Sequence, residues 1–196
     1  MSDMRDILKR ALPEADERAI ERFEIYHRLL AEWNEKMNLT AITDPVEVAE
    51  KHFADSLAAL PYLKAGGKVI DVGTGAGFPG VPLLIMEPQL ELTLADSLQK
   101  RLTFLDALLK ELGLKAALVH GRAEDLGQNR LYREQFDAAL SRAVANLPVL
   151  LELTTPFVKV GGSAIAYKGD GAEELKNAKS AAFLLHVQLQ IGRAHV

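Results

Sequence analysis

Hydrophobic and polar positions divide the chain into two regimes. Over the first sixty residues the apolar positions recur at helical spacing. Ala19, Phe23, Tyr26, Leu30, Trp33 and Met37 step by 4, 3, 4, 3 and 4, which predicts one long helix with one inward stripe. A second helix start is spelled by Thr43-Asp44-Pro45-Val46-Glu47. Asp44 suits the N-cap, Pro45 the first helical position, and Glu47 reaches back as in a capping box. That helix, EVAEKHFADSLAAL, is expected to end near Pro61. Beyond Gly66-Gly67 the pattern becomes strand, then helix, repeatedly. Short β-rich runs occupy 68–72, 90–95, 116–120, 136–140 and 163–167. Between the second and third lies SLQKRLTFLDALLKELG, with Leu98, Leu102, Leu105, Leu109 and Leu112 on one face and Gly113 as its stop. Such alternation predicts an α/β fold, a mostly parallel twisted sheet with helices on both faces. Sheets of this kind bind ligands outside the carboxyl ends of their strands, near the switch point of strand order. Residues 1–64 read as a helical N-terminal extension packed as a flank on an α/β domain spanning 65–189.

Composition narrows the function. A chain of 196 residues, 48% hydrophobic and 26% charged, supports one good core. No apolar run approaches the roughly 20 residues of a membrane span, and the start, MSDMRDILKR, lacks a secretory h-region. Cysteine is absent, and the five histidines show neither HxxxH nor HExxH spacing, so no metal site is expected. The expectation is a cytoplasmic, monomeric protein with no membrane partner. The net charge of −4 argues against wholesale coating of nucleic acid but leaves room for a local basic patch. Residues 1–60 hold 8 Lys+Arg against 13 Asp+Glu, so a polyanion would meet the second part or a few chosen basic residues.

The candidate chemistry sits in VIDVGTGAGFPG, residues 69–80, where four glycines fall within eight positions. A literal GxGxxG, at Gly75, Gly77 and Gly80, begins two residues too late for a dinucleotide loop, whose first glycine ends the strand. The better-phased pattern is Asp71-Val72-Gly73-Thr74-Gly75-Ala76-Gly77, an acid followed by GxGxG, which resembles the first motif of methyltransferases using S-adenosylmethionine. Asp96, 23 residues after Gly73, closes the next strand, where a carboxylate accepts hydrogen bonds from ribose hydroxyls. It also suits the N-cap of the helix opening at Ser97.

Taken together, WNEKMNLTAI, KHFADSL, VIDVGTGAGFPGVPL, ADSLQKRLTFL, GRAED, FDAALSRAVANL and AYKG resemble the bacterial small-subunit rRNA guanine-N7 methyltransferases. The resemblance runs from about Glu32 to Gly169, and NLTAI, HFADSL and SRAVA are not general methyltransferase motifs. It implies a Rossmann-like, seven-stranded, S-adenosylmethionine-dependent methyltransferase fold with an N-terminal helical extension. It further implies methylation of a guanine N7 in the decoding-region loop of 16S rRNA, free or within the 30S subunit. By resemblance Gly73, Phe78, Ala123 and Glu124 contact the cofactor, Asp96 holds the ribose, and Arg142 lines the same site. Asp71, Gly75, Gly77 and Ser97 complete the expected cofactor set.

Guanine N7 carries a lone pair and no proton, so its attack on a methyl group needs no general base. Positioning supplies most of the catalysis. Arg142 is the candidate catalytic residue and Asp55 a second, balancing the cationic product; Arg142 or Lys168 would orient the neighbouring O6. Candidate rRNA contacts are Asn38, Lys51, His52, Lys100, Arg101, Arg122 and Lys168. Four of them have a plainer reading: Asn38 a helix cap, His52 a structural histidine, Lys100 and Arg101 a solvated helix face. Trp33 and Phe23 read as core rather than stacking platforms.

The chain departs from the resemblance at its end. Residues 190–196 read as the in-frame translation of a sequencing-library adapter, so they are expected to be a non-native tail, with a C-terminal strand missing. Rival readings are a methyltransferase of a small molecule or protein, a nicotinamide oxidoreductase, and an inactive, truncated RNA-binding form.

Overall fold

The computed structural model describes residues 3–169 and 172–190. Five strands form one wholly parallel sheet in the order β3-β2-β1-β4-β5. They are β1 Lys68–Val72, β2 Glu91–Asp96, β3 Ala117–His120, β4 Phe136–Arg142 and β5 Val158–Tyr167. Strand order reverses between β1 and β4, so the switch point lies at the carboxyl end of β1. The implied seventh and sixth strands are not among the described residues. Residues 187–190 form no strand; Val187 and Leu189 instead lie against Leu147, Leu151, Ala178 and Ala182. Residues 191–196 of the expected tail lie outside the described residues.

Side chains alternate across the sheet. Val69, Leu92, Leu94, Ala138 and Leu140 face one core, whereas Ile70, Val72, Ala95 and Ala139 face the other. The first core is the larger because the N-terminal helices join it. Helix α1 is Met4–Ala11 and α2 is Glu17–Met37, started by Asp16, whose side chain accepts the Ala19 N–H at 2.7 Å. The predicted stripe faces inward: Phe23, Tyr26 and Leu30 are buried, and Trp33 packs on Phe104 with ring centroids 5.7 Å apart. Arg22 is also buried and donates from Nε to the Leu112 carbonyl, tying α2 to the end of α5 (Gln99–Leu112). The extension therefore shares one apolar core with the sheet.

Two elements differ from the sequence expectation. The helix after Asp44 begins as α3, Pro45–Glu47, then widens into a π-helical segment, Val48–Ala54, and closes as a 3₁₀ segment, Leu57–Tyr62. Asp44 caps it as predicted, accepting the Val46 and Glu47 N–H groups, but Glu47 pairs with Lys51 rather than reaching back. Leu98 is exposed rather than on the apolar face, because Asp96 takes its N–H and the helix starts only at Gln99. Helix α4 is Gly80–Met86, α6 Ala123–Leu126, α7 Leu147–Thr154 and α8 Ala172–Leu184.

Candidate active site

At the carboxyl end of β1 the chain turns sharply. The Gly73 and Thr74 N–H groups both donate to the Ala95 carbonyl, at 2.9 and 3.1 Å, which fastens the turn to β2. Gly73, Gly75 and Gly77 all have positive φ, at 70°, 60° and 99°, a region that side-chain-bearing residues rarely enter. Their surroundings differ. A side chain on Gly77 would collide with the Tyr26 hydroxyl, Val81 and Leu105, so this glycine serves packing; one on Gly73 would meet Val144 of the loop after β4. A side chain on Gly75 would meet no atom within 4 Å, leaving an open cradle.

Two carboxylates brace this turn. Asp71 is fully buried; its Oδ2 accepts the Thr74 hydroxyl at 2.7 Å and the Gly80 N–H at 2.9 Å. Its Oδ1 has no partner among the described residues. Burial with too few donors raises its pKa to about 6. Asp96 is also buried. Its Oδ2 accepts the Gly75 N–H at 2.9 Å and Arg101 at 3.2 Å, and its Oδ1 accepts the Leu98 N–H at 2.9 Å. Asp96 is not the N-cap expected of it: the helix starts at Gln99 with Leu98 in the cap position, and Asp96 accepts the Leu98 N–H from outside the helix. A carboxylate has about four acceptor positions, so these three donors leave room for another.

A second cluster lies on Phe78. Its ring stacks with Tyr26, at 5.2 Å and 9°, and with His52, at 4.5 Å and 20°, and the Arg142 guanidinium carbon stands 4.9 Å from its centroid. The Tyr26 hydroxyl donates to the Ala76 carbonyl at 2.6 Å, and burial pushes its pKa up. Arg142 closes β4. Its Nη1 donates to Asp55 Oδ2 at 3.1 Å and to the Lys51 carbonyl at 3.2 Å; its Nη2 lies 3.2 Å from His52 Nδ1. Burial, then the neighbouring guanidinium charge, push the His52 imidazole down to about 4.

The remaining candidates distribute along the same sheet edge. Asp96 is in register with His120, and the Asp96 carbonyl accepts the Gly121 N–H, so Arg122, Ala123 and Glu124 follow directly beside it. Arg122 and Glu124 pair with each other at 3.3 Å. Ser97 is exposed, and its carbonyl accepts the His120 Nε2–H. Lys100 is exposed on the first turn of α5; Arg101 lies on Asp96. Lys168 donates to the Ala145 carbonyl and pairs with Glu174 at 2.9 Å. Asn38 is exposed in the left-handed position that ends α2, so its cap reading holds. The structure brings Lys51, His52, Asp55 and Arg142 into one cluster, and Asp96, Arg101 and Gly75 into another. Sequence reasoning missed Tyr26, Thr40 and Val144. Tyr26 was visible only as a member of a helical stripe, and nothing local marks its hydroxyl as a partner of the glycine turn.

The sheet order, the open glycine and the acid on the neighbouring strand define the class of Rossmann-like methyltransferases. A solved structure described as a SAM-dependent methyltransferase from Aquifex aeolicus shares the fold, with a TM-score of 0.56 at 20% identity over 80% of this chain and 89% of that one. The family described as GidB, rRNA small subunit methyltransferase G, matches residues 19–194, and the chain belongs to it. The curated protein named ribosomal RNA small subunit methyltransferase G of Alkaliphilus metalliredigens is 53% identical over 87% of this chain and 73% of its own length. That of Thermoanaerobacter pseudethanolicus is 54% identical over 83% and 69%.

Proposed function

We propose that the protein transfers a methyl group from S-adenosylmethionine to N7 of a guanine in the decoding-region loop of 16S rRNA. The observation that carries this reading is the pairing of the open Gly75 cradle with a buried carboxylate, Asp96, at the end of the adjacent strand, inside a chain of this family. The residues fit the cofactor. Backbone at Gly75 admits its close approach beside Gly73, Asp96 accepts the ribose hydroxyls, and the start of α6 at Ala123 and Glu124 flanks the adenine side. Asp71, enclosed beneath the turn, holds Thr74 and Gly80 and so fixes the cradle's shape. The cofactor, when bound, supplies an electrophilic methyl group on a sulfonium.

The chain's own contribution is alignment. A guanine whose N7 lone pair is held in line needs no proton removed, which agrees with a site built from positioning groups. Arg142, aimed by Asp55 and His52, donates toward the guanine edge and the cofactor side. Lys51, Lys100, Arg101, Arg122 and Lys168 along the same edge, with Asn38, take the rRNA backbone. Tritium transfer from labelled S-adenosylmethionine to 30S subunits or to deproteinised 16S rRNA tests this. Label recovered as 7-methylguanosine supports it; label found only on small metabolites or protein, or none on rRNA, refutes it.

A further inference from the structure

A guanidinium donates hydrogen bonds and accepts none. The His52 Nδ1 atom, 3.2 Å from Arg142 Nη2, must therefore present its lone pair. The ring's hydrogen then sits on Nε2, and the atom opposite that nitrogen is Thr40 Oγ1, at 2.8 Å. Thr40 is itself fixed: its Oγ1 also accepts the Ile42 N–H at 3.0 Å, and its own N–H donates to Asn34 Oδ1 at 2.9 Å. Both ring nitrogens are thus spoken for, and the ring faces are set by the stack on Phe78.

The π-helical segment explains the other partner. In an α-helix the Asp55 N–H would go to the Lys51 carbonyl, four residues back. Here it goes to the Glu50 and His52 carbonyls, and the Lys51 carbonyl accepts Arg142. One widened turn thereby delivers three acceptors to one guanidinium: a carbonyl from Lys51, an imidazole nitrogen from His52 and a carboxylate from Asp55. Arg142 requires them, because its side chain is only 15% exposed. A guanidinium so enclosed is costly unless its hydrogens are matched.

Resting on the methyltransferase reading, we infer that His52 is a positioning residue for Arg142: a neutral imidazole, held as the Nε2–H tautomer by Thr40, that fixes the arginine's plane over Phe78. The N-terminal extension then belongs to the site, supplying the frame that aims the β4 arginine. His52 is committed to Arg142 and Thr40 and does not serve as a contact to rRNA phosphate. Its depressed pKa agrees with a neutral ring at pH 7.

The test uses the full chain and three substitutions. His52→Phe keeps a ring on Phe78 and removes the acceptor; His52→Asn keeps an acceptor near the Nδ1 position; Arg142→Ala removes the donor. Long-range ¹H–¹⁵N correlation spectra at pH 7, with His52 assigned by its loss in His52→Asn, should show a neutral Nε2–H ring whose Nδ1 resonance moves in Arg142→Ala. For methyl transfer to 30S subunits, kcat/KM should fall about tenfold in His52→Phe, the scale of one lost charge-assisted hydrogen bond. It should stay within about threefold in His52→Asn, and His52→Phe should lower it less than about twofold further in the Arg142→Ala background. A doubly protonated or Nδ1–H ring, full activity of His52→Phe, or losses that multiply in the double variant would overturn the inference. If the unaltered chain methylates no rRNA, the functional reading falls, and the ring's tautomer and its response to Arg142→Ala still decide this one.

Discussion

Gly75 and Gly77 lie two residues apart in the same turn, both with positive φ, yet the structure assigns them opposite tasks. Replacing Gly77 by alanine forces an L-residue to φ 99°, which costs about 1–2 kcal/mol. The added methyl would also stand 2.7 Å from the Tyr26 hydroxyl, 2.8 Å from Val81 and 2.9 Å from Leu105. Tyr26 cannot swing clear, because its hydroxyl is bonded to the Ala76 carbonyl within a buried stack. Overpacking of this kind adds about 1–3 kcal/mol, so Gly77→Ala should lose about 2–5 kcal/mol in all. Replacing Gly75 by alanine carries the backbone cost alone, about 1–2 kcal/mol, since nothing lies within 4 Å. Its methyl instead fills the cradle proposed for the cofactor. Urea unfolding and calorimetric titration with S-adenosylhomocysteine separate the two. Gly77→Ala should lower the unfolding midpoint markedly; Gly75→Ala should lower it less and weaken S-adenosylhomocysteine binding at least tenfold. Equal destabilisation by both, or unchanged affinity in Gly75→Ala, would refute the division of labour.

Two further outcomes follow from the same contacts. Asp71, with a folded pKa raised from 3.8 to about 6, favours folding most when protonated. That contribution is complete below about pH 4 and is lost as pH rises through about 6, by about 3 kcal/mol at 1.36 kcal/mol per pH unit. The stability of the unaltered chain relative to Asp71→Asn should therefore fall by about that amount between pH 4 and pH 7, read as the difference between paired urea titrations; a difference independent of pH would count against the buried, unmatched carboxyl. Tyr26→Phe removes the 2.6 Å bond to the Ala76 carbonyl and leaves that acceptor buried, so unfolding free energy should drop by about 1–3 kcal/mol in a urea titration, and an unchanged midpoint would show that the bond carries no weight.

Much of this architecture is written locally in the chain. Strand β1 matches its expected span because a β-rich run, Val69 to Val72, ends at a glycine that must turn. The phase of Gly73, Gly75 and Asp96 was likewise readable, since strand ends and glycines are fixed by neighbours a few residues away. What escaped depends on distant partners. The first half of β5, Val158 to Gly162, lies outside the run expected at 163–167, yet it joins the sheet through an irregular register opposite Phe136 and Ala138. Leu98 satisfied the leucine periodicity, but periodicity cannot register that Asp96 captures its N–H. The widened segment at 48–54 is marked by where the Asp55 N–H and the Lys51 carbonyl find partners, one of them Arg142 on a distant strand, which an apolar pattern does not record. Arg142 and His52 were each singled out, but their pairing spans ninety residues of chain and appears only in three dimensions.

If Asp96, joined to the glycine turn through the Gly75 N–H, grips the ribose of S-adenosylmethionine, removing its carboxylate should release the cofactor. Calorimetric titration of S-adenosylhomocysteine into the unaltered chain and into Asp96→Ala, each first shown to unfold cooperatively in urea, measures it directly. Binding to the former is expected, with a loss of affinity of at least about a hundredfold in the latter, the scale of two hydrogen bonds to a charged acceptor. Equal affinity in a folded Asp96→Ala chain, or no binding by the unaltered chain, would contradict it.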